Sequence, residues 1–278
     1  MSTPLGIIAG STDLPRVIAE SNRESGREVF IVALEDFCDE KTIDGFPREW
    51  VRIGAVGKAI SAFRKHGVEE VVLAGKVSRP KLSQIRPDLK ATKWLARLGS
   101  NLMRGDDELL RMIVSLLEEE GLNIVGIHEA APELITPEGL IGRTMPDKKT
   151  QEDISFGAKI ARGIGALDIG QSVVVQQQQV LAVEAIEGTA SMIARAGCLK
   201  VDKQGGVVVK VRKPHQELRV DMPTMGVDTI EQIAKAELAG IAIEAGSSLM
   251  LHKRELIRRA DELGIFVLGF TVEADEAA

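Results

Sequence analysis

Through residues 1–131, short apolar runs alternate with amphipathic stretches of helical period. The runs 5–9, 29–34, 71–74 and 124–127 read as strands. Between them the spacing predicts a helix from about Leu14, with Pro15 in the first turn where a missing amide costs nothing, and further helices over 56–66, 92–103 and 107–120. Strand and helix in alternation build a mainly parallel sheet covered on both faces, so the expectation is an N-terminal Rossmann-like α/β domain. Ligands of such sheets lie beyond the carboxyl ends of the strands. That directs attention to the loops 10–14, 75–80 and 128–131.

Pro132, Pro137, Gly139, Gly142 and Pro146 then crowd together and predict a linker over 132–147. The pattern resumes over 148–278 as a second α/β domain with a mixed sheet. Its expected elements are a helix over 151–162, a hairpin over 173–185 turning on the glutamine run 176–179, and a strand over 207–211. A helix over 230–238, a strand over 241–243, a helix over 253–263 and a last strand over 265–268 follow. The stripe Trp94, Leu95, Leu98 and Leu102 recurs at helical spacing and suits a core-facing side, with an acyl-chain groove as the alternative.

Composition narrows the setting. No apolar run approaches the ~18 to 20 residues of a membrane span, and Pro4, Gly6 and Gly10 interrupt the order of a signal peptide, so a cytoplasmic protein is expected. Cys38 and Cys198 stand far apart without metal-type spacing. A net charge of −6, no tyrosine and 3% aromatic residues argue against a nucleic-acid partner. Yet residues 76–104 carry eight basic side chains against Asp88 alone, a net of +7 that leaves −13 for the remainder. Such a segment reads either as a solvated face or as one drawn to phosphates or to an anionic inner-membrane surface.

Several short motifs carry candidate chemistry. In Lys213-Pro-His-Gln-Glu-Leu-Arg-Val-Asp221-Met-Pro-Thr-Met-Gly226, an extended backbone puts Lys213, His215, Glu217, Arg219 and Asp221 on one face. That face lines either a solvated edge or a charged ligand, with cations for a diphosphate and carboxylates for a divalent metal or a water. In Glu187-Gly-Thr-Ala190, Thr189 reads as a helix cap or as part of a site. Gly105-Asp-Asp-Glu108 has the same two readings. Gly10-Ser-Thr-Asp13 suits a phosphate at a helix start but lacks both the dinucleotide glycines and a Walker lysine. His128-Glu129 ends a strand and suits acid–base chemistry or the opening of the linker.

In order along the chain, Ile8-Ala-Gly10 with Leu14-Pro15, Ala74-Gly-Lys-Val-Ser-Arg-Pro80, Gly105-Asp-Asp107, His128-Glu129, Leu167-Asp-Ile-Gly-Gln171, Glu187-Gly-Thr189, the 213–226 stretch and 240–246 form one set. Together they resemble the metal-dependent UDP-2,3-diacylglucosamine pyrophosphatases that some Gram-negative bacteria use in making lipid A. The resemblance implies two domains with the substrate between them, magnesium dependence, and hydrolysis to UMP and 2,3-diacylglucosamine 1-phosphate. Carried onto this sequence, it implies Asp221 and Glu187 as metal-binding or activating carboxylates, with Lys213 and Arg219 on the diphosphate. It further implies substrate contacts from Gly10, Ser11, Lys76, Ser78, Arg79, Asp106, Asp107, His128, Glu129, Gln171, Thr189, Gln216 and Thr224. Expected partners are the lipid-bearing nucleotide sugar, a transient membrane surface and a second copy of the chain. The sequence departs from the family pattern in having Ala190 where an aspartate is usual, the turn Gly10-Ser-Thr-Asp13, and Lys76 where asparagine is common. Ala190 keeps a second reading open, a binding protein with little turnover; a nicotinamide-dependent oxidoreductase is disfavoured by the missing glycines.

Overall fold

The computed structural model describes residues 3–77, 86–98, 106–202, 205–214 and 216–271. The chain divides into two compact units, one of Met1–Glu133 with Glu217–Asp221, the other of Leu134–Gln216 with Met222–Ala278.

In the first unit, β1 (Leu5–Ala9), β2 (Val29–Leu34), β3 (Arg48–Val51), β4 (Glu70–Ala74) and β5 (Asn123–Ile124) pair in the order β3-β2-β1-β4-β5, each neighbour parallel. The helices are α1 (Leu14–Glu24), α2 (Val56–Lys65), α3 (Leu89–Leu98), α4 (Asp106–Glu119) and the single turn α5 (Ile127–Ala130). Phe30 and Val32 face an apolar cluster with Ile60, Phe63, Trp94, Val114 and Leu117 from α2, α3 and α4. Alternation turns Ile31 and Ala33 to the opposite face, the side of α1. Trp94 is therefore core, while Leu102 and the side chain of Leu98 lie outside the described residues. The strand expected over 124–127 stops at Ile124 because the Gly126 amide is held by Glu129 and Ile127 opens α5. No apolar run announces β3: its residues are Arg-Glu-Trp-Val, half-buried at the sheet edge.

The second unit is a mixed sheet in the order β6-β13-β11-β9-β7-β8, formed by β6 (Gly139–Ile141), β7 (Ser172–Gln176), β8 (Gln179–Val183), β9 (Val207–Lys210), β11 (Gly240–Glu244) and β13 (Phe266–Phe270). β9, β11 and β13 run parallel; β6, β7 and β8 are antiparallel to their neighbours. A separate parallel pair joins β10 (Thr224–Met225) to β12 (Leu249–Met250). One face packs its valines on α6 (Lys148–Ala166), the other on α7 (Gly188–Gly197), α8 (Val227–Lys235) and α9 (Lys253–Leu263). α6 begins earlier than its periodicity suggests because Asp147 accepts the Thr150 amide at 2.8 Å and caps it. Within the stretch expected to be a linker, Gly139–Ile141 is the edge strand β6, paired with β13. Among the described residues, no helix is long and apolar enough to cross a membrane.

Candidate functional site

In the first unit, β1, β4 and β5 are mutually parallel, so the residues just past them share the carboxyl edge of the sheet. Gly10, Ser11, Lys76, His128 and Glu129 all lie there. The loops after β1 and β4 are stitched together: Ser11 and Lys76 exchange both backbone hydrogen bonds at 2.9 Å, and the Ser11 hydroxyl also donates to the Lys76 carbonyl at 2.7 Å. Only glycine permits this approach. A Cβ on Gly10 would sit 2.7 Å from the Lys76 carbonyl oxygen, and one on Gly75, at φ +89°, 2.4 Å from that of Ser11. Ser11 therefore spends its amide and its hydroxyl proton on the stitch, not on a phosphate cradle, and the Lys76 side chain stands exposed. His128 keeps its Nδ1 buried without a hydrogen-bond partner, its Nε2 3.7 Å from Glu129. Glu129 also accepts the Gly126 amide, as a helix-start residue does. Asp106 and Asp107 open α4, their side chains outside the described set; Ser78 and Arg79 lie outside the described residues altogether.

The charged stretch corrects an expectation. It is not an extended strand with five ionisable groups on one face; it turns, and its members part company. The Asp221 amide returns to the Glu217 carbonyl at 2.9 Å, closing a turn over Glu217–Asp221, the segment that belongs to the first unit. Arg219 forks onto Glu217 at 3.0 and 3.1 Å and reaches Glu118 of α4 at 2.7 Å. The guanidinium holds the Glu217 carboxyl below the usual glutamate range, and Glu217 foremost, then Glu118, raise Arg219 still further. Asp221 itself is half-buried. Lys213 belongs to the second unit, paired with Asp168 at 2.7 Å, and its amide donates to the side chain of the buried Gln216. His215 lies outside the described residues.

The second unit corrects another. Thr189 is not the cap of α7: Glu187 holds that position, without a side-chain capping bond, and Thr189 is inside the helix. Its hydroxyl instead donates to Glu184 at 2.6 Å and accepts from Lys210 at 3.1 Å. Glu187 is exposed and turned onto Arg195 at 2.6 Å; its own backbone amide and then Arg195 hold its carboxyl below the ordinary range. Gln171 precedes β7 with its side-chain oxygen buried and unpartnered. Thr224 lies in β10, its hydroxyl donating to the Met222 carbonyl at 3.0 Å. Glu184 and Lys210 are the residues that pattern reading passed over. Each is a polar residue closing an apolar run, Val-Leu-Ala-Val-Glu184 and Val-Val-Val-Lys210, a signal that was open to notice.

A parallel Rossmann-like sheet in one unit and a mixed sheet packed with helices in the other define a two-unit α/β protein. The family models sharpen this: residues 4–134 match the LpxI N-terminal domain and residues 137–268 the LpxI C-terminal domain. The chain is 42% identical over 271 residues to the UDP-2,3-diacylglucosamine pyrophosphatase LpxI of Caulobacter vibrioides, covering 95% of this chain and 96% of that one. It belongs to the LpxI family.

Proposed function

We propose that this chain hydrolyses the pyrophosphate of UDP-2,3-diacylglucosamine, releasing UMP and 2,3-diacylglucosamine 1-phosphate on the way to lipid A. The observation that carries the reading is the 42% identity to a pyrophosphatase of that name, spread over 95% of the chain. The exposed Lys76 at the carboxyl edge of the first sheet and Lys213 in the second unit suit an anionic substrate. The test is incubation with UDP-2,3-diacylglucosamine and magnesium in oxygen-18 water. UMP release with label on the sugar phosphate is the expected result; no UMP at all overturns it.

Magnesium dependence is part of the proposal, in a specific form. Asp221 and Glu187 fall in different units, Glu187 is held by Arg195, and among the described residues no three His, Cys, Asp or Glu side chains gather around a place for an ion. The described side chains therefore form no cage of their own. An ion arriving on a diphosphate needs only one or two protein carboxylates, and Asp221 is the one assigned to it. Work in the cytoplasm on a membrane-borne lipid, with transient contact to the inner-membrane surface, belongs to the same proposal, as does pairing with a second copy. A second reading, ligand binding with little turnover, follows from the resemblance drawn from the sequence, which implies an acid at the position of Ala190, exposed in the first turn of α7.

A further inference from the structure

A polar row interrupts the apolar face of the second sheet. On the face under α7, α8 and α9, Ala182, Val174, Val208 and Ile241 lie side by side across β8, β7, β9 and β11. Two residues further towards the carboxyl edge, where strand geometry returns to the same face, the row reads Glu184, Ser172, Lys210, Ile243. Ser172 is in register with Lys210 and Lys210 with Ile243, and the Glu184 amide donates to the Ser172 carbonyl at 2.9 Å. These polar side chains are as secluded as the valines beside them: Ser172 is 0% exposed, Glu184 and Lys210 7% each.

Burying an acid, an amine and a hydroxyl together is costly unless each polar atom finds a partner. Thr189 supplies part of what is needed. A hydroxyl has one proton and two lone pairs; that of Thr189 commits its proton to Glu184 Oε1 and one lone pair to Lys210 Nζ. Two buried atoms keep no hydrogen-bond partner, Glu184 Oε2 and Ser172 Oγ. The first requires a donor, and the second can give or take a proton. Glu184 and Lys210 are of opposite sign and bridged through Thr189, so the row holds no excess charge for a phosphate. What fits is a neutral oxygen that donates and accepts at once. The start of α7 alone would mark nothing; the two unpartnered oxygens beneath it do.

We infer that this row takes a hydroxyl group of the substrate, which donates to Glu184 Oε2 and accepts from Ser172 Oγ, with half-buried Thr189 on the approach. The inference rests on the nucleotide-sugar reading, in which the free hydroxyls are those of the hexosamine ring and of the ribose. The test compares UDP-2,3-diacylglucosamine with its 4-deoxy, 6-deoxy, 2′-deoxyuridine and 3′-deoxyuridine analogues on the native chain, on Glu184→Gln and on Ser172→Ala. Each pair is read by UMP release and by titration calorimetry, and each variant is checked by its unfolding midpoint. One analogue should lose about tenfold or more in kcat/KM and in affinity on the native chain, as a site built around a hydroxyl rejects its absence. The variants should lose that discrimination while treating the other analogues alike; Ser172→Ala, the smaller change, keeps the test open where Glu184→Gln folds poorly. A native chain that binds the substrate without releasing UMP refutes the hydrolase and leaves the row tested by calorimetry. Equal binding of all four analogues and the parent by native and variant chains overturns the inference and leaves the row to a buried water.

Discussion

Asp153 is buried on α6, and its two carboxylate oxygens point at the turn of the β7–β8 hairpin, accepting the amides of Gln177 at 2.9 Å and Gln178 at 2.6 Å. Both glutamines are left-handed, at φ 54° and 57°, in a turn that asparagine and glycine would occupy with less strain. The acid thus holds a turn whose sequence is poor for it. Asp153→Ala should cost about 2 kcal/mol in chemical unfolding, the penalty of leaving buried amides unpaired, and Asp153→Asn less because one carbonyl oxygen remains. Equal midpoints for all three chains would remove that role. The hairpin was legible from its apolar flanks; the acid that secures it was not, because it is distant in sequence. The same limit hid half the role of Thr189: Glu184 stands five residues before it, but Lys210 comes from β9, 21 residues further on. Asp221→Ala should abolish most UMP release; unchanged kcat at saturating magnesium would clear it of the assignment. Ala190→Asp places an acid in the first turn of α7, where a helix start tolerates negative charge. If that carboxylate serves the reaction, kcat rises about tenfold or more; a rate and magnesium dependence left unchanged would place the position outside the chemistry.

Elements were more legible than the chemistry placed on them. Among the described residues, strands and helices of the first unit follow the periodicity to within a few residues, since each has an apolar face to bury; the end of the helix expected over 92–103 lies outside them, and β3 and β6, short edge strands, have little apolar signal to read. The 213–226 stretch failed for a different reason: alternation of charge is not alternation of burial, and Arg219 finds its carboxylates by turning back. The basic segment shows how packing spends charge. Lys90 pairs with Glu120 and Arg97 with Glu119, both across to the end of α4 or just past it. Among the described members, Arg86 and Lys93 are exposed, and Lys93 lies one turn of α3 beyond Leu89, itself 88% exposed. An apolar side chain among cations is the pattern of a surface that touches anionic lipid. Sedimentation with anionic vesicles should fall when Arg86 and Lys93 are changed to glutamine, and fall again as salt shortens the reach of charge to about 8 Å or less. Sedimentation indifferent to both changes would leave the segment a solvated face.

At the scale of the whole molecule, sequence order and spatial membership part at one place. The second half of the chain lends Glu217–Asp221 to the first unit, which no local pattern could announce, because what holds the segment is Glu118 and the apolar cluster that Val220 joins. Arg219 is the hinge of that loan, with two carboxylates around one guanidinium. Both tryptophans, Trp50 and Trp94, lie in the first unit, so their fluorescence reports its unfolding alone. Arg219→Met should therefore lower the fluorescence midpoint by about 1 kcal/mol, the scale of a partly exposed ion pair with ordered geometry, although the substitution stands far along the chain from either tryptophan. The effect has a pH signature. Glu217 has its carboxyl depressed by Arg219, so its contribution is complete above the ordinary glutamate value of about 4.3 and fades as pH falls through the depressed one. Native and Arg219→Met chains should then converge in stability in acid and diverge towards neutral pH. A fluorescence midpoint that is the same for both at pH 7 would mean that the segment is held by Val220 and its neighbours without the help of the ion pairs.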